Sequence, residues 1–270
     1  MEYSLEKGIK VASHNIMRGF WLDKLIEYYK KLKADDHLAV LCIQENVTEK
    51  GIAHVERISE ELGNGYRSYY IEEFPSTAIM HDSSMLERIE TFSIKLPKLK
   101  KYSWFVKLMS MEEAPLQRYA IATRLQAPGG EPFTVVNMHL TAWGGNKIRY
   151  AQLNAIQKEL KRRGISERII MCGDTNLFAW TKMMQRKVLD STLEMLKVQN
   201  PLKHEPTYYF SRIYKKARWA FRVPHYLGKI GIDLPRHYDF VVSEMPYLNY
   251  GKVTTPESDH DLVWAKYDIS

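Results

Sequence analysis

Four short polar clusters recur along the chain, and their residue types are those that bind divalent cations and phosphate. Each cluster follows or ends an apolar run of strand-like composition, so we expect each to lie at a strand end. A strand end holds a polar side chain rigidly at the mouth of a cleft. Carboxylates, carboxamides and histidines gathered there would form a site for a hard cation beside a phosphate ester. The clusters are Ser13-His14-Asn15, Gln44-Glu45, Gly173-Asp174-Thr175-Asn176 and Ser258-Asp259-His260.

The acidic residues of the second and third clusters each allow two interpretations. Glu45 directly follows a continuous apolar run, where a carboxylate is costly unless it pairs or coordinates a ligand. The same residue taken alone fits a helix cap or a solvated surface. Asp174 and Asn176 stand two apart after Gly173, so both side chains can face one point. An Asx turn that caps a following helix has the same pattern.

Two further residues and the last cluster complete the candidates. His139 lies near the end of the apolar run from Phe133 to Leu140, and Asp239 opens another apolar run. Alone, each fits a structural or turn residue. The adjacent Asp259 and His260 suit a site in which one side chain binds metal and the other meets substrate near neutral pH.

The elements that must position these residues alternate between helices and strands. Apolar periodicity predicts helices over Trp21 to Lys33, Ile52 to Leu62, Asn146 to Arg163 and Thr181 to Leu196. Continuous apolar runs such as Leu38 to Gln44 predict strands buried on both faces. From about residue 66 to 140 the pattern is instead one strand after another with turns between them. This mixture predicts an α/β fold with mixed sheets, and the length fits a single domain over residues 1–270.

Taken in order, these elements resemble the endonuclease/exonuclease/phosphatase superfamily, the DNase I-like hydrolases. The resemblance spans about residues 11 to 269 and implies a four-layer α/β sandwich, with two packed, mostly antiparallel mixed sheets flanked by helices. It also implies metal-dependent hydrolysis of phosphate esters. The matching elements are Ser-His-Asn15, Ile-Gln-Glu45, Asn-Met-His139-Leu, Gly-Asp174-Thr-Asn176, Tyr-Asp239-Phe and Ser-Asp259-His260.

The resemblance also implies a role for each residue on the metal side of the site. Glu45 would be the principal metal ligand, and Asp259 would complete the carboxylate environment of the metal. Asn15 would bind substrate phosphate or metal-bound water. The expected cofactor is Mg²⁺, with Mn²⁺ as a substitute, because one or two carboxylates plus retained waters suffice for this ion.

The catalytic roles follow from the same resemblance. Asp174 would position or deprotonate the attacking water, and Asn176 would hold a phosphoryl oxygen. His260 would contact the phosphate or act as the base, oriented by Asp239. His139 would stabilise or protonate the departing group.

Two regions bear on the substrate. Arg149 belongs to an Arg-x-x-Gln pattern after the His139 element; it is predicted to bind substrate, or else to lie in a solvated helical turn. The segment from Tyr208 to His237 interleaves aromatic and basic residues. Such a segment suits nucleic acid, fits an anionic lipid surface nearly as well, and is also consistent with an ordinary surface loop.

The composition favours a polyanionic substrate. Lys and Arg number 39 against 32 Asp and Glu, giving a net charge of +7 and a pI near 9.1. The leading hypothesis is a nucleic-acid phosphodiesterase, DNase-like or tyrosyl-DNA phosphodiesterase-like. The first alternative is a sphingomyelinase-like phospholipid phosphodiesterase, for which membrane lipid is the partner, or a phosphatase of small phosphoesters. The second alternative is an inactive binding scaffold. Without a signal peptide or membrane span in the sequence, we expect a cytoplasmic monomer; no protein partner can be inferred.

Overall fold

The computed structural model describes residues 8–49, 51–63, 65–102, 104, 107, 114–179, 181–209, 212 and 236–269. Thirteen strands and four α-helices lie in this part of the chain. The helices are α1 (Leu22–Asp36), α2 (His54–Leu62), α3 (Asn146–Arg162) and α4 (Lys182–Leu196). The strands are β1 (Ile9–Asn15), β2 (Leu38–Gln44), β3 (Thr48–Glu49), β4 (Ile52–Ala53), β5 (Tyr66–Ile71), β6 (Phe74–Asp82), β7 (Glu87–Lys95), β8 (Tyr119–Gln126), β9 (Phe133–His139), β10 (Ile169–Asp174), β11 (Asp239–Ser243), β12 (Tyr247–Val253) and β13 (Leu262–Tyr267).

The strands form two large mixed sheets and one small hairpin, β3-β4. The first sheet has the order β12-β13-β1-β2-β6-β5, and the second has the order β11-β10-β9-β8-β7. Each large sheet contains one parallel pair, β1 with β2 and β9 with β10, and every other pairing is antiparallel. A parallel pair needs a crossover connection, and helices α1 and α3 supply it.

Apolar side chains fill three layers between the elements. Phe133 and Tyr267 belong to the cluster between the two sheets, whose strands supply both inner faces. Helices α1 and α2 cover the outer face of the first sheet, with Leu25 in the buried cluster there. Helices α3 and α4 cover the second sheet, with Leu153 and Leu189 buried beneath them. The predicted four-layer sandwich of two mostly antiparallel mixed sheets is therefore confirmed.

The helix boundaries agree with the periodicity of the apolar residues, with one local difference. The predicted helix from Ile52 begins instead at His54, because Ile52 and Ala53 pair with the strand Thr48–Glu49. The backbone N–H of Ala53 donates to the Glu56 carboxylate at 2.8 Å, which fixes the start of α2. Within the described residues, no helix is both long enough and apolar enough to cross a bilayer.

Candidate active site

The two parallel strand pairs deliver the predicted residues to one cleft. Asn15 ends β1, its register partner Gln44 ends β2, and Glu45 follows directly. In the second sheet, His139 and Asp174 are register partners at the ends of β9 and β10. Carboxyl ends of parallel strands are where open α/β sheets place ligand-binding residues. Here two such ends, one from each sheet, lie side by side.

Asn15 joins the two ends. Its amide Nδ2 donates to Asp174 Oδ2 at 3.1 Å and to Glu45 Oε1 at 3.3 Å. Its Oδ1 accepts from the backbone N–H of Met17 at 3.1 Å, so the amide is held in one orientation. The structure thus brings together Asn15, Glu45 and Asp174, which lie far apart in sequence.

The exit from β10 depends on a glycine and on an Asx turn. Gly173 has φ +126°, and a Cβ there would lie 1.8 Å from the carbonyl oxygen of Met138. Asp174 Oδ1 accepts from the backbone N–H of Asn176 at 2.8 Å, and Asn176 Nδ2 donates to the carbonyl of Leu140 at 3.1 Å. The Asx turn is therefore present, and it is what orients Asp174. Contact of Asn176 with a phosphoryl oxygen stays a prediction.

His260 forms a buried pair with Asp239. Its Nδ1 lies 2.9 and 3.0 Å from the two Asp239 oxygens, and its Nε2 lies 3.7 Å from Asp174 Oδ2 and 4.0 Å from Asp259 Oδ1. Burial lowers the pKa of His260, but the charges of Asp239, Asp259 and Asp174 outweigh it and raise the pKa well above its ordinary value. The carboxylates around His260 therefore favour its protonated form.

His139 flanks Asp174 on the other side. Its Nε2 lies 3.7 Å from Asp174 Oδ2, and its Nδ1 has no hydrogen-bond partner among the described residues. Burial lowers the pKa of His139 well below its ordinary value, and the charges of Arg118, His260 and Arg18 lower it further. The surroundings therefore favour the neutral form of His139 and the charged form of His260.

The carboxylates of the site are crowded. Burial raises the pKa of Asp174 to about 7; His260 opposes this shift and Asp239 adds to it. Burial also raises the pKa of Asp259 to about 6, again opposed by His260 and strengthened by the charge of Glu45. A bound cation would relieve this repulsion, as metal sites do for their acidic ligands.

Two neighbouring sets of side chains could hold a metal. Asp174, Asp239 and His260 each offer one ligand atom, and these atoms lie within 4.8 Å of one another. In that set the Nδ1 atom of His260 already lies 2.9 Å from Asp239 Oδ2, so His260 and Asp239 are engaged with each other. Glu45 and Asp259, the ligands predicted from the sequence, are only partly buried. Their carboxylate oxygens fit a hard cation, and Asn15 Nδ2 donates to one of them, Glu45 Oε1.

Solved structures with the same architecture decide the fold. An endonuclease/exonuclease/phosphatase family protein from Bacteroides thetaiotaomicron is 17% identical, with a TM-score of 0.64 over 97% of this chain and 98% of that chain. The chain has the endonuclease/exonuclease/phosphatase fold. D. rerio TDP2 complexed with single strand DNA product is 12% identical, with a TM-score of 0.65 over 96% and 98% of the two chains. A mannosyl-6-phosphatase from Bacteroides thetaiotaomicron is 14% identical, with a TM-score of 0.60 over 96% and 98%.

Comparison by sequence gives no match, in contrast to the comparison by structure. No protein-family model and no curated protein matches the chain. The TM-scores of 0.64 and 0.65 establish the endonuclease/exonuclease/phosphatase fold. Sequence identities of 12 to 17% assign no substrate. The resemblance to this superfamily, inferred from six ordered sequence elements, is therefore confirmed for the fold.

Several supporting residues were not singled out from the sequence. Gln44 Nε2 donates to Asn137 Oδ1 at 2.7 Å, which links the two sheets directly beneath the site. Ser258 Oγ donates to the carbonyl of Asn15 at 2.7 Å. The Tyr208 ring packs against His260 with ring centroids 4.8 Å apart. Gln44, Asn137 and Ser258 stand inside the recognised motifs, whereas nothing distinguishes Tyr208 from the other tyrosines of its segment.

Arg149 lies in the first turn of α3, and its side chain contacts the preceding loop rather than the cleft's hydrogen-bond network. Its guanidinium donates to the carbonyls of Thr141 and Ala142 at 2.9 and 2.6 Å and to Asn146 Oδ1 at 2.9 Å. Gln152, three residues on, accepts from the backbone N–H of Thr141 at 3.1 Å. These contacts fix the loop that follows His139. Substrate binding by Arg149 stays a prediction.

The aromatic and basic segment from Tyr208 to His237 lies mostly outside the described residues. Its described beginning is attached to the site: the backbone N–H of Tyr209 donates to the carbonyl of Asp259 at 2.9 Å. Arg212 Nη1 lies 2.5 Å from the buried Asp261 carboxylate, and Lys252 lies 3.7 Å from its other oxygen. The carboxylate of Asp261, the residue directly after His260, is thus paired with the Arg212 and Lys252 side chains.

Proposed function

We propose that the chain is a metal-dependent phosphodiesterase that acts on nucleic acid, with Mg²⁺ as cofactor and Mn²⁺ as a substitute. The observation that carries this proposal is the environment of Asp174. Its Oδ2 lies 3.7 Å from the Nε2 atoms of His139 and His260 and 3.1 Å from Asn15 Nδ2. In this arrangement the Asp174 carboxylate can accept a proton, and the imidazoles of His139 and His260 on either side can bind phosphate oxygens.

In this proposal Glu45 and Asp259 hold the metal, and Asn15 orients both Glu45 and the substrate. The bound Mg²⁺ would offset charge on the phosphoryl oxygens and polarise the attacking water.

The remaining residues accept a proton, stabilise negative charge or donate hydrogen bonds. Asp174 accepts the proton of the attacking water; its pKa of about 7 suits a base that works near neutral pH. The imidazolium of His260, held by Asp239, stabilises the negative charge that develops on the phosphoryl group. Neutral His139 donates a hydrogen bond towards the departing oxygen, a role that fits its lowered pKa better than full protonation of that oxygen. Asn176 supplies a further donor.

Nucleic acid is the proposed substrate for two reasons. The net charge of +7 favours a polyanion. One solved structure with this fold, D. rerio TDP2, is complexed with single strand DNA product. A small phosphomonoester is the second candidate, because a mannosyl-6-phosphatase shares the fold to a similar extent.

The test is hydrolysis by the purified protein with Mg²⁺ of single- and double-stranded DNA, RNA, a 5′-tyrosyl oligonucleotide, sphingomyelin vesicles and a sugar phosphate. EDTA and the variant Glu45→Gln should each abolish turnover. Glu49→Gln is the matched control, since Glu49 is an exposed glutamate four residues further on. Metal-dependent cleavage of a nucleic acid supports the proposal. Turnover of the sugar phosphate or of lipid alone contradicts the nucleic-acid substrate, and equal activity of Glu45→Gln contradicts the metal site.

A further inference from the structure

The turn between β1 and α1 has an unusual backbone and lies directly after Asn15. Three successive residues, Met17, Arg18 and Gly19, have φ values of +46°, +58° and +68°. Methionine and arginine rarely adopt this left-handed conformation, because the Cβ crowds the backbone. Strain of this kind persists only where surrounding contacts impose it, and it is concentrated at functional sites.

Contacts to the candidate site hold the turn in place. The N–H of Met17 donates to Asn15 Oδ1 at 3.1 Å, and the N–H of Gly19 donates to the carbonyl of Ile16 at 2.8 Å. Gly19 lies so close to the His54 ring that a Cβ would be 2.2 Å from Nδ1. The position of the turn is therefore set by the same asparagine that contacts Glu45 and Asp174.

The result is an exposed cation and an exposed ring at the rim of the cleft. Arg18 is exposed and forms no ion pair with any acidic side chain in the described part of the chain. Its charge nonetheless reaches across to His139 in the second sheet and helps to lower that residue's pKa. The Phe20 side chain is 59% exposed, although a phenylalanine is normally buried. An unpaired arginine beside an exposed ring matches the surfaces that bind single-stranded nucleic acid.

We propose that Arg18 and Phe20 form a nucleotide-binding rim, in which Phe20 stacks on a base beside the scissile phosphate and Arg18 binds a neighbouring phosphate. This inference rests on the proposed function and narrows it to substrates with more than one nucleotide. A substrate with a single small phosphoester would not reach both groups. The left-handed turn would then hold both side chains on the segment that directly follows Asn15, the residue that contacts Glu45 and Asp174.

Equilibrium binding separates the two contacts. A fluorescein-labelled oligothymidylate is titrated with protein in EDTA and followed by anisotropy at several salt concentrations. Arg18→Gly should weaken binding about fivefold and reduce the slope of log K against log salt by about 0.7, as expected for one phosphate contact to a single strand. Phe20→Ala should weaken binding about tenfold with an unchanged salt slope, whereas Phe20→Trp should retain affinity, since stacking needs a ring.

The design includes folding and position controls. Arg18→Gly relieves the strained conformation, so it should melt at or above the wild-type temperature and its loss of affinity cannot be attributed to unfolding. Arg67→Ala removes an exposed arginine that pairs in register with His81, at the opposite end of the first sheet from the site. Leu248→Ala removes a side chain that is 52% exposed. Both controls should bind as the wild type does.

Two outcomes would overturn the rim. One is equal affinity of Arg18→Gly, Phe20→Ala and the wild type for the oligonucleotide. The other is loss of binding to phosphatidylserine vesicles in these variants with oligonucleotide binding unchanged, which would make the surface a lipid contact. Hydrolysis distinguishes this failure from failure of the proposed function. If the wild type cleaves no phosphodiester but the variants lose oligonucleotide affinity, the rim stands and the assigned activity fails.

Discussion

The two histidines on either side of Asp174 have the same side chain and opposite electrostatic environments. His260 Nδ1 is bonded to Asp239, and its Nε2 lies within 4.0 Å of Asp174 and Asp259. His139 faces Asp174 at 3.7 Å but has a buried Nδ1 without a described partner, and it is influenced by two arginine charges. Burial lowers both pKa values, yet only His260 has enough carboxylates nearby to reverse the effect.

This difference shows how one fold can give two imidazoles separate duties. The β11 strand begins with Asp239, whose register places it opposite Asp174 and beneath His260. Among the described residues, His139 Nδ1 has no hydrogen-bond partner, so no carboxylate holds it as Asp239 holds His260. In the proposed mechanism, this difference would give a charged group for phosphate and a neutral donor for the leaving oxygen at the same pH.

The largest expected effect is that of removing the charged histidine. We expect His260→Ala to lower kcat by about 10³-fold, because a positioned acid–base or charge-stabilising group contributes on this scale. Steady-state hydrolysis of the preferred substrate measures it, with circular dichroism to confirm folding. His204→Ala is the matched control, since His204 is only paired with Asp190 at 3.4 Å outside the site. Near-normal turnover by His260→Ala would remove this residue from the mechanism.

The next largest effect is expected from Asp239→Asn, which keeps the His260 ring but weakens the support for its positive charge. Asp239→Asn should lower kcat by about 10²-fold and shift the alkaline limb of the pH–rate profile to lower pH, because the amide no longer stabilises the imidazolium. A profile from pH 5 to 10 for the wild type and variant measures the shift. The raised pKa also contributes stability that is complete below the unfolded value of about 6.5 and is lost as pH rises through the folded pKa. Asp239→Asn should therefore lose more stability at pH 6 than at pH 10; an equal loss at both pH values would contradict the charged assignment.

A smaller effect is expected on the neutral side. His139→Gln keeps a donor of similar size, so we expect kcat to fall about tenfold, at the lower edge of general-acid contributions. The profile should keep its alkaline limb, in contrast to Asp239→Asn. Histidine proton resonances provide a direct check: His139 should titrate well below the ordinary pKa of a histidine, and His260 well above it. Titration of both rings near 6.5 would show that the two sites are equivalent.

The apolar periodicity predicted helices and mixed sheets, and the order of the polar motifs carried the resemblance that implies the four-layer sandwich. That fold is confirmed, and the roles of the site residues stay predictions. Glu45 and Asp174 follow continuous apolar runs, and such runs mark buried strands wherever they occur. The contrast between His139 and His260 could not be predicted, since it depends on which strands are neighbours and on burial by distant residues. Arg149 was a candidate for substrate binding because its pattern does not reveal that it donates to backbone carbonyls of the loop before α3.

The smallest effect on turnover, and one of the clearest on stability, concerns a third buried histidine. His14 Nδ1 lies 2.8 Å from the Tyr29 hydroxyl and its Nε2 lies 3.2 Å from Thr255 Oγ1, while that hydroxyl donates to the carbonyl of His260 at 2.6 Å. Burial lowers the pKa of His14 to about 3, so it is a neutral bridge whose Nε2–H donates to Thr255 and whose Nδ1 accepts from Tyr29.

His14→Phe should therefore cost about 1–3 kcal/mol in free energy of unfolding by leaving two buried hydroxyls without this partner. We also expect it to lower kcat a few-fold through displacement of His260, with KM unchanged. Tyr29→Phe is the matched control, because it breaks only the bond distant from His260. It should lose stability and keep kcat. If both variants reduce kcat equally, the bridge stabilises the first sheet without positioning His260, and the charged side of the site depends on Asp239 alone.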